Sequence, residues 1–154
     1  MMTSDAIETT RFGSVAFDVR DVVTLDEGFL GFPDAKRFIV LQHKEGSPFC
    51  WLQSVDAGDL AFLVIDPGHY VPDYAPDMPV DVAKQLELDE ETPRLVYTIV
   101  TIPKGQPDDM TLNLAGPILI NLENRLAKQV VVEDHRYPIR YKVFSQEKQG
   151  HSAA

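Results

Sequence analysis

The segment from Pro48 to Pro67 constrains the fold more than any other. It contains Phe49-Cys50-Trp51-Leu52-Gln53-Ser54-Val55, the turn residues Asp56-Ala57-Gly58-Asp59, and the apolar run Leu60-Ala61-Phe62-Leu63-Val64-Ile65. Two extended stretches joined by a short polar turn predict an antiparallel hairpin. Alternation sets Phe49, Trp51 and Gln53 on one side of the first strand and Cys50, Leu52 and Ser54 on the other. The second strand is too apolar to face water on either side. It therefore belongs in the middle of a fold, with the other strands arranged around it. Trp51, the single tryptophan, and Phe62 are expected to pack the interior.

Strand signals continue on both sides of this hairpin. Ser14–Val19 alternates with period two, Val22–Leu25 follows it, and Phe38–Leu41 is entered from Lys36-Arg37. Further on, Arg94–Ile102 is rich in β-branched residues, Met110–Leu114 alternates, and Ile118–Ile120 and Ala127–Val132 flank the turn Asn121–Arg125. Tyr137-Pro138-Ile139-Arg140-Tyr141 suits an edge, because proline cannot donate to a central ladder. One short helix is predicted over about residues 79–88. Met78, Val82 and Leu86 recur every four residues there, with Pro79 at its start and Asp81 in its first turn. Roughly eight to ten short strands without strand–helix alternation indicate a mainly β fold, a small antiparallel β-barrel-like domain. Closure is the economical solution, since an open sheet of this many strands would leave exposed edges. Residues 1–144 are expected to form a single domain, with 145–154 a mobile polar tail.

Four prolines, Pro67, Pro72, Pro76 and Pro79, interrupt the stretch after the hairpin. Such a stretch is neither a regular helix nor a central strand, but a stiff loop. It carries Asp66, Tyr70, Asp73, Tyr74 and Asp77. These acids belong to a wider bias: the chain has a net charge of −10, and residues 56–109 hold most of it. An acidic surface repels phosphate backbones and speeds encounter with basic partners, so direct nucleic-acid binding is disfavoured. No run approaches the roughly 20 apolar residues that span a bilayer, and the first residues have no basic start followed by an apolar centre. With one cysteine there is no internal disulfide framework, and cytoplasmic residence is the simplest reading.

Catalytic patterns are missing. The histidines at 43, 69, 135 and 151 have no zinc-ligand spacing, and no nucleophile elbow, phosphate loop or dinucleotide fingerprint is present. Cys50, beside Trp51 in an apolar strand, reads as a small buried hydrophobe. Asp66 and His69 make a conceivable acid–base pair, but no nucleophile or second carboxylate accompanies them. The residues point away from an enzyme, and no cofactor or metal is expected. A small-ligand-binding barrel remains an alternative, and it would need an apolar pocket with a few convergent polar groups.

Four segments in order carry a resemblance. They are Gly31-Phe32-Pro33 with Lys36-Arg37-Phe38; Pro48–Asp56 with Leu60-Ala61-Phe62; Asp66-Pro67 continuing to Pro72-Asp73-Tyr74; and Val100–Pro103 with Met110–Ile118 and Lys128-Gln129-Val130. Over about residues 8–141 the chain resembles the flagellar assembly factor FliW family. Cys50 stands where an aromatic is frequent in that family. The resemblance implies a β-barrel-like fold and a cytoplasmic protein that works by binding. Its partners would be the RNA-binding translational repressor CsrA, whose repression of flagellin mRNA it antagonises, and flagellin itself. Flagellin accumulation then releases CsrA, a switch that couples flagellin synthesis to assembly. The partner-binding residues expected here are Asp66, Asp73 and Asp77 as charges and Tyr70 and Tyr74 as aromatic anchors, a composition suited to hot spots. The edge near Tyr137–Tyr141 is a second candidate, where a flagellin segment would add by main-chain pairing.

Overall fold

The computed structural model describes residues 4–144. In chain order its strands are β1 (Ser4–Thr9), β2 (Gly13–Asp18), β3 (Val23–Leu25), β4 (Arg37–Gln42), β5 (Phe49–Ser54) and β6 (Ala61–Ile65). After helix α1 (Val80–Gln85) come β7 (Arg94–Thr101), β8 (Thr111–Leu112), β9 (Ile118–Asn121), β10 (Leu126–Gln129) and β11 (Tyr141–Lys142). Seven strands close into a barrel in the order β3-β4-β5-β6-β7-β9-β10, and β10 returns to β3. The fold is the mainly β barrel expected, with one refinement. Every seam is antiparallel except the last, where Leu126 and Ala127 run parallel to Thr24 and Leu25. The β5–β6 hairpin lies midway round the ring from that seam. Trp51 pairs with Leu63 and Leu52 with Phe62, with the turn at residues 55–60.

The interior is filled by inward residues from every barrel strand. Val23, Leu25, Phe38, Leu52, Val64, Tyr97, Ile118, Ile120 and Ala127 form one buried cluster, with Phe29 from the β3–β4 loop plugging an end. Phe29 lies edge-on to Phe38 at 5.0 Å and tilted against Phe62 at 4.7 Å, separations at which ring pairs attract beyond simple area burial. Phe62 packs inside as expected. Trp51 does not. Strand alternation turns it outward, where the β1–β2 hairpin covers it with Phe12 edge-on at 5.9 Å and the Arg11 guanidinium 4.2 Å above its ring. Trp51 is thus a half-buried platform for the N-terminal hairpin. That hairpin had no periodic apolar signal in Ser4–Thr9, and it is anchored instead by backbone. Thr10 donates to the Gly58 carbonyl at 3.0 Å, and a Cβ on Gly58 would meet the Glu8 carbonyl oxygen at 2.0 Å.

Two apolar layers coat the outside. One packs Ile65, Val100, Met110, Leu112, Leu114, Val132 and Tyr137 together, with Leu63 and Phe49 half-buried against them. The β6 strand is therefore covered on both sides, though its first three residues are only half-buried. The other layer seats α1 on β9 and β10 through Val82, Leu86, Leu119 and Val130. The helix is shorter than the 79–88 span predicted. It ends at Gln85 because Glu87 takes a left-handed φ of 57°, and the Leu88 amide turns back to Ala83. Asn121, buried at the end of β9, holds that terminus. Its Nδ2 donates to the Leu86 carbonyl at 2.7 Å, and its Oδ1 accepts from the Glu123 amide at 2.8 Å. The expected strand over Ala127–Val132 stops at Gln129, and of the Tyr137–Tyr141 edge only Tyr141 enters a strand, paired with Leu112. The tail assigned to 145–154 lies outside the described residues.

Candidate partner-binding surface

The proline-rich segment leaves the barrel where β6 ends, and its geometry follows from its residues. Asp66 caps the turn: its carboxylate accepts from the Gly68 amide at 2.8 Å. Pro67 opens a single 3-10 turn, and its carbonyl accepts from the amides of Tyr70 and Val71 at 3.2 and 2.8 Å. Tyr74 then closes on the Val71 carbonyl at 2.9 Å. Three consecutive local turns make the segment compact.

Its aromatics brace it against the barrel's outer layer. The Tyr74 hydroxyl donates to the Leu114 carbonyl at 2.6 Å, and its ring meets Tyr137 edge-on at 4.7 Å. The Ala75 amide donates to the Tyr137 hydroxyl at 3.2 Å. Burial, followed by the neighbouring Tyr137, pushes the Tyr74 phenol well above the usual tyrosine range. Tyr70 packs against His69 at 4.9 Å and Phe144 at 6.0 Å. Both tyrosines are half-buried and belong to the outer apolar layer.

The acids point the other way. Asp66, Asp73 and Asp77 are exposed, and none of them takes part in the ion pairs found among the described residues. Elsewhere carboxylates are neutralised locally: Asp18 pairs with Arg20 and Asp134 with Arg136, each at 2.7 Å. The arginine hydrogen bonds hold those two carboxyls down at about 2. The segment thus sorts its five candidate residues into two tyrosines facing the barrel and three acids facing solvent.

Beneath the segment runs a groove of about 390 Å³ between Asp66–Gly68 and Tyr74–Met78 on one wall and Arg94–Val96 on the other. Asp66 and His69, the conceivable acid–base pair, make separate side-chain contacts, Asp66 with the Gly68 amide and His69 with Tyr70. Among the described residues no three His, Cys, Asp or Glu side chains gather where a metal ion would sit, and no helix is long and apolar enough to cross a membrane. Cys50 is half-buried, with its Sγ 4.0 Å from the Tyr97 hydroxyl.

The model of the FliW protein family matches residues 6–143. The chain belongs to the FliW family. It is 42% identical over 129 residues to the flagellar assembly factor FliW of Magnetococcus marinus, covering 84% of this chain and 80% of that one. With the FliW of Desulfitobacterium hafniense strain Y51 it shares 39% identity over 142 residues, 92% of this chain and 93% of the relative. A crystal structure of the flagellar assembly factor FliW superposes with a TM-score of 0.84 at 34% identity, covering 93% and 99% of the two chains. The fold is therefore the FliW fold over 93% of the chain. Two features of this FliW surface were missed in the sequence. Tyr137 is a clamp for Tyr74, yet it lies 63 positions away with no local pattern to join them. Arg94 and Val96 wall the groove, but a β-branched strand reads alike whether or not its edge is covered.

Proposed function

We propose that this protein is a flagellar assembly factor that acts by binding. On this reading it binds CsrA, antagonises CsrA repression of flagellin mRNA, and exchanges CsrA for flagellin. Family membership supports the flagellar role, since the similar curated proteins are named flagellar assembly factors. The observation that carries the binding site is the exposed, unpaired acidic face of residues 66–77 on a rigidly braced segment. An RNA-binding repressor presents basic surface, and complementary charge accelerates encounter and fixes orientation. Asp66, Asp73 and Asp77 supply that charge. Tyr70 and Tyr74 contribute by holding the segment in shape, not as protruding anchors. Tyr137 is buried behind Tyr74, so the second candidate surface narrows to the short edge at Tyr141 and Lys142.

Titrating the purified protein with CsrA and with flagellin, separately and in competition, tests the switch. Mutual exclusion is expected; simultaneous binding of both would refute it. Reversing two charges, Asp73→Lys with Asp77→Lys, should weaken CsrA binding by about 10-fold or more at low salt. The difference should shrink as salt shortens the screening length from about 10 Å at 0.1 M to about 3 Å at 1 M. Unchanged affinity with an unchanged salt slope would remove these acids from the site.

A small-ligand reading gains nothing from the barrel, because its interior is occupied by Phe38, Leu52, Val64, Ile118 and their neighbours, all below a tenth exposed.

A further inference from the structure

The groove under the 66–78 segment exposes something a closed barrel normally hides, a length of unpaired strand edge. In an antiparallel ladder the N–H and C=O of one residue point the same way, and successive residues alternate. The Pro93 carbonyl accepts from the Leu122 amide and the Ile99 carbonyl from the Asn113 amide. Pro93, Leu95, Tyr97 and Ile99 therefore turn their main-chain groups toward β9 and β8, and Arg94 and Val96 turn theirs toward β6. But β6 ends too soon. Its last pair with β7 is Ile65 with Thr98, after which Asp66-Pro67 bends away. Pro67 has no N–H to give, and its carbonyl is already taken by Tyr70 and Val71. The Pro67–His69 turn lies beside β7, but among the described residues no hydrogen bond reaches the main-chain groups of Arg94 and Val96 from that side. Two donors and two acceptors in strand geometry thus face the groove.

The groove walls suit one kind of occupant. Pro67, Ala75, Pro76, Met78, Leu95 and Val96 offer apolar contact, while the exposed Asp66 also lines the groove and Asp77 sits between two wall residues. The one arginine of the wall does not neutralise these acids. Its guanidinium is folded back onto the carbonyls of Asp89 and Thr92. We propose that this groove receives an extended, cationic peptide segment of a protein partner, which adds as a strand to the β7 edge at Arg94 and Val96. Alternate side chains of that segment enter the apolar floor and its basic residues meet Asp66 and Asp77. Main-chain pairing of this kind supplies affinity with little demand on sequence, and the flanking charges and pockets supply selectivity. The proposal rests on the partner-binding reading above and gives that site its mode of recognition.

The test uses the whole chain and two probes. The first is a five-residue acetylated peptide of alternating lysine and valine, followed by the amide signals of Arg94 and Val96 in nuclear magnetic resonance. Those two amides should shift and exchange more slowly with solvent, and the matching glutamate–valine peptide should bind about 10-fold more weakly or worse. Ala75→Trp, which fills the groove from its outer wall, should abolish the effect; its thermal midpoint shows whether it folds. Silence at both amides in the wild-type chain, or equal binding by the acidic peptide, overturns the proposal whatever the variant does. The second probe is CsrA or flagellin, with the same amides followed. A partner that binds while Val96 exchanges freely refutes strand addition and leaves the partner reading standing. Failure of both partners to bind refutes that reading, and the peptide still decides the groove.

Discussion

The clamp made by Tyr74 is open to a sharp test, because one atom separates its structural role from its surroundings. Tyr74→Phe removes the hydroxyl that donates to the Leu114 carbonyl at 2.6 Å and keeps the ring against Tyr137. Leu114 is fully buried and its carbonyl has no other partner among the hydrogen bonds of the described residues, so an acceptor is left stranded. A net hydrogen bond is worth about 1 kcal/mol, and a stranded buried group about 1–3 kcal/mol, so a loss of about 1–2 kcal/mol is expected. For a chain of this size that lowers the thermal midpoint by about 2–8 °C. Tyr74→Ala also deletes the half-buried ring and should cost more than the phenylalanine variant. The alkaline limb carries a sign. The folded phenol is held above the ordinary value near 10, so its contribution is intact below about pH 10 and is lost as pH rises further. The deficit of the phenylalanine variant should therefore narrow above pH 10. Denaturant midpoints from pH 7 to 11 with unchanged slopes are the assay. A variant within about 0.3 kcal/mol of wild type at pH 7, with the same alkaline limb, would mean that the hydroxyl holds nothing.

Three other perturbations report on separate parts of the scaffold. Asn121→Ala leaves the Leu86 carbonyl with only the longer 3.3 Å bond from Asn124 Nδ2 and takes away the side-chain acceptor of the Glu123 amide, and should lower stability by about 1–2 kcal/mol in urea titration. Gly58→Ala places a methyl group on the Glu8 carbonyl, so the N-terminal hairpin must lift from the β5–β6 turn. Emission from Trp51, which Phe12 and Arg11 shield, should then move to longer wavelength before the barrel itself unfolds. Tyr97, pushed up to about 12 first by burial and then by Cys50, stabilises the fold below pH 10 and ceases to do so as pH passes 12; Tyr97→Phe should flatten the stability profile across that window.

The strands that were legible in the sequence are those with a face to bury. Phe38–Leu41, Phe49–Ser54, Ala61–Ile65, Arg94–Thr101 and Ile118–Ile120 all carry apolar or β-branched residues at period two, and all five are barrel staves. β1 was illegible for the converse reason: Ser4–Thr9 packs by backbone bonds and one glycine contact rather than by an apolar face. Trp51 shows the limit of composition as a guide to depth. Its strand is central, but an outward position on a central strand is covered only if another element happens to dock there, and that element is the β1–β2 hairpin, whose first strand carries no signal. The parallel seam between β3 and β10 was likewise invisible, since two short strands far apart in sequence contain nothing that states their relative direction. In the candidate site, the charges were readable one by one. The inward turn of the tyrosines was not, because it depends on Leu114 and Tyr137 being brought beneath them by strands that follow.

Bracing and recognition compete for the same side chains in a segment this short, and the division between them has consequences for binding. Once the rings of Tyr70 and Tyr74 are committed to the barrel, they cannot also serve as deep aromatic anchors without breaking the brace. Under the proposed site, recognition falls to what the brace leaves free, namely three carboxylates and the open edge of β7. Carboxylates on a rim act mainly through encounter rate, and their effect is screened by salt. Main-chain pairing acts through the lifetime of the complex and tolerates changes of sequence in the bound strand. If the proposed strand addition holds, such a surface would accept two partners of different sequence, each presenting an extended basic stretch, and only one at a time because there is one edge. On the proposed reading, competition between CsrA and flagellin would then need no conformational relay through the barrel. The stiffness conferred by Tyr74, Tyr137 and the local turns would then serve the proposed binding, since a groove already braced does not have to be ordered when a partner arrives.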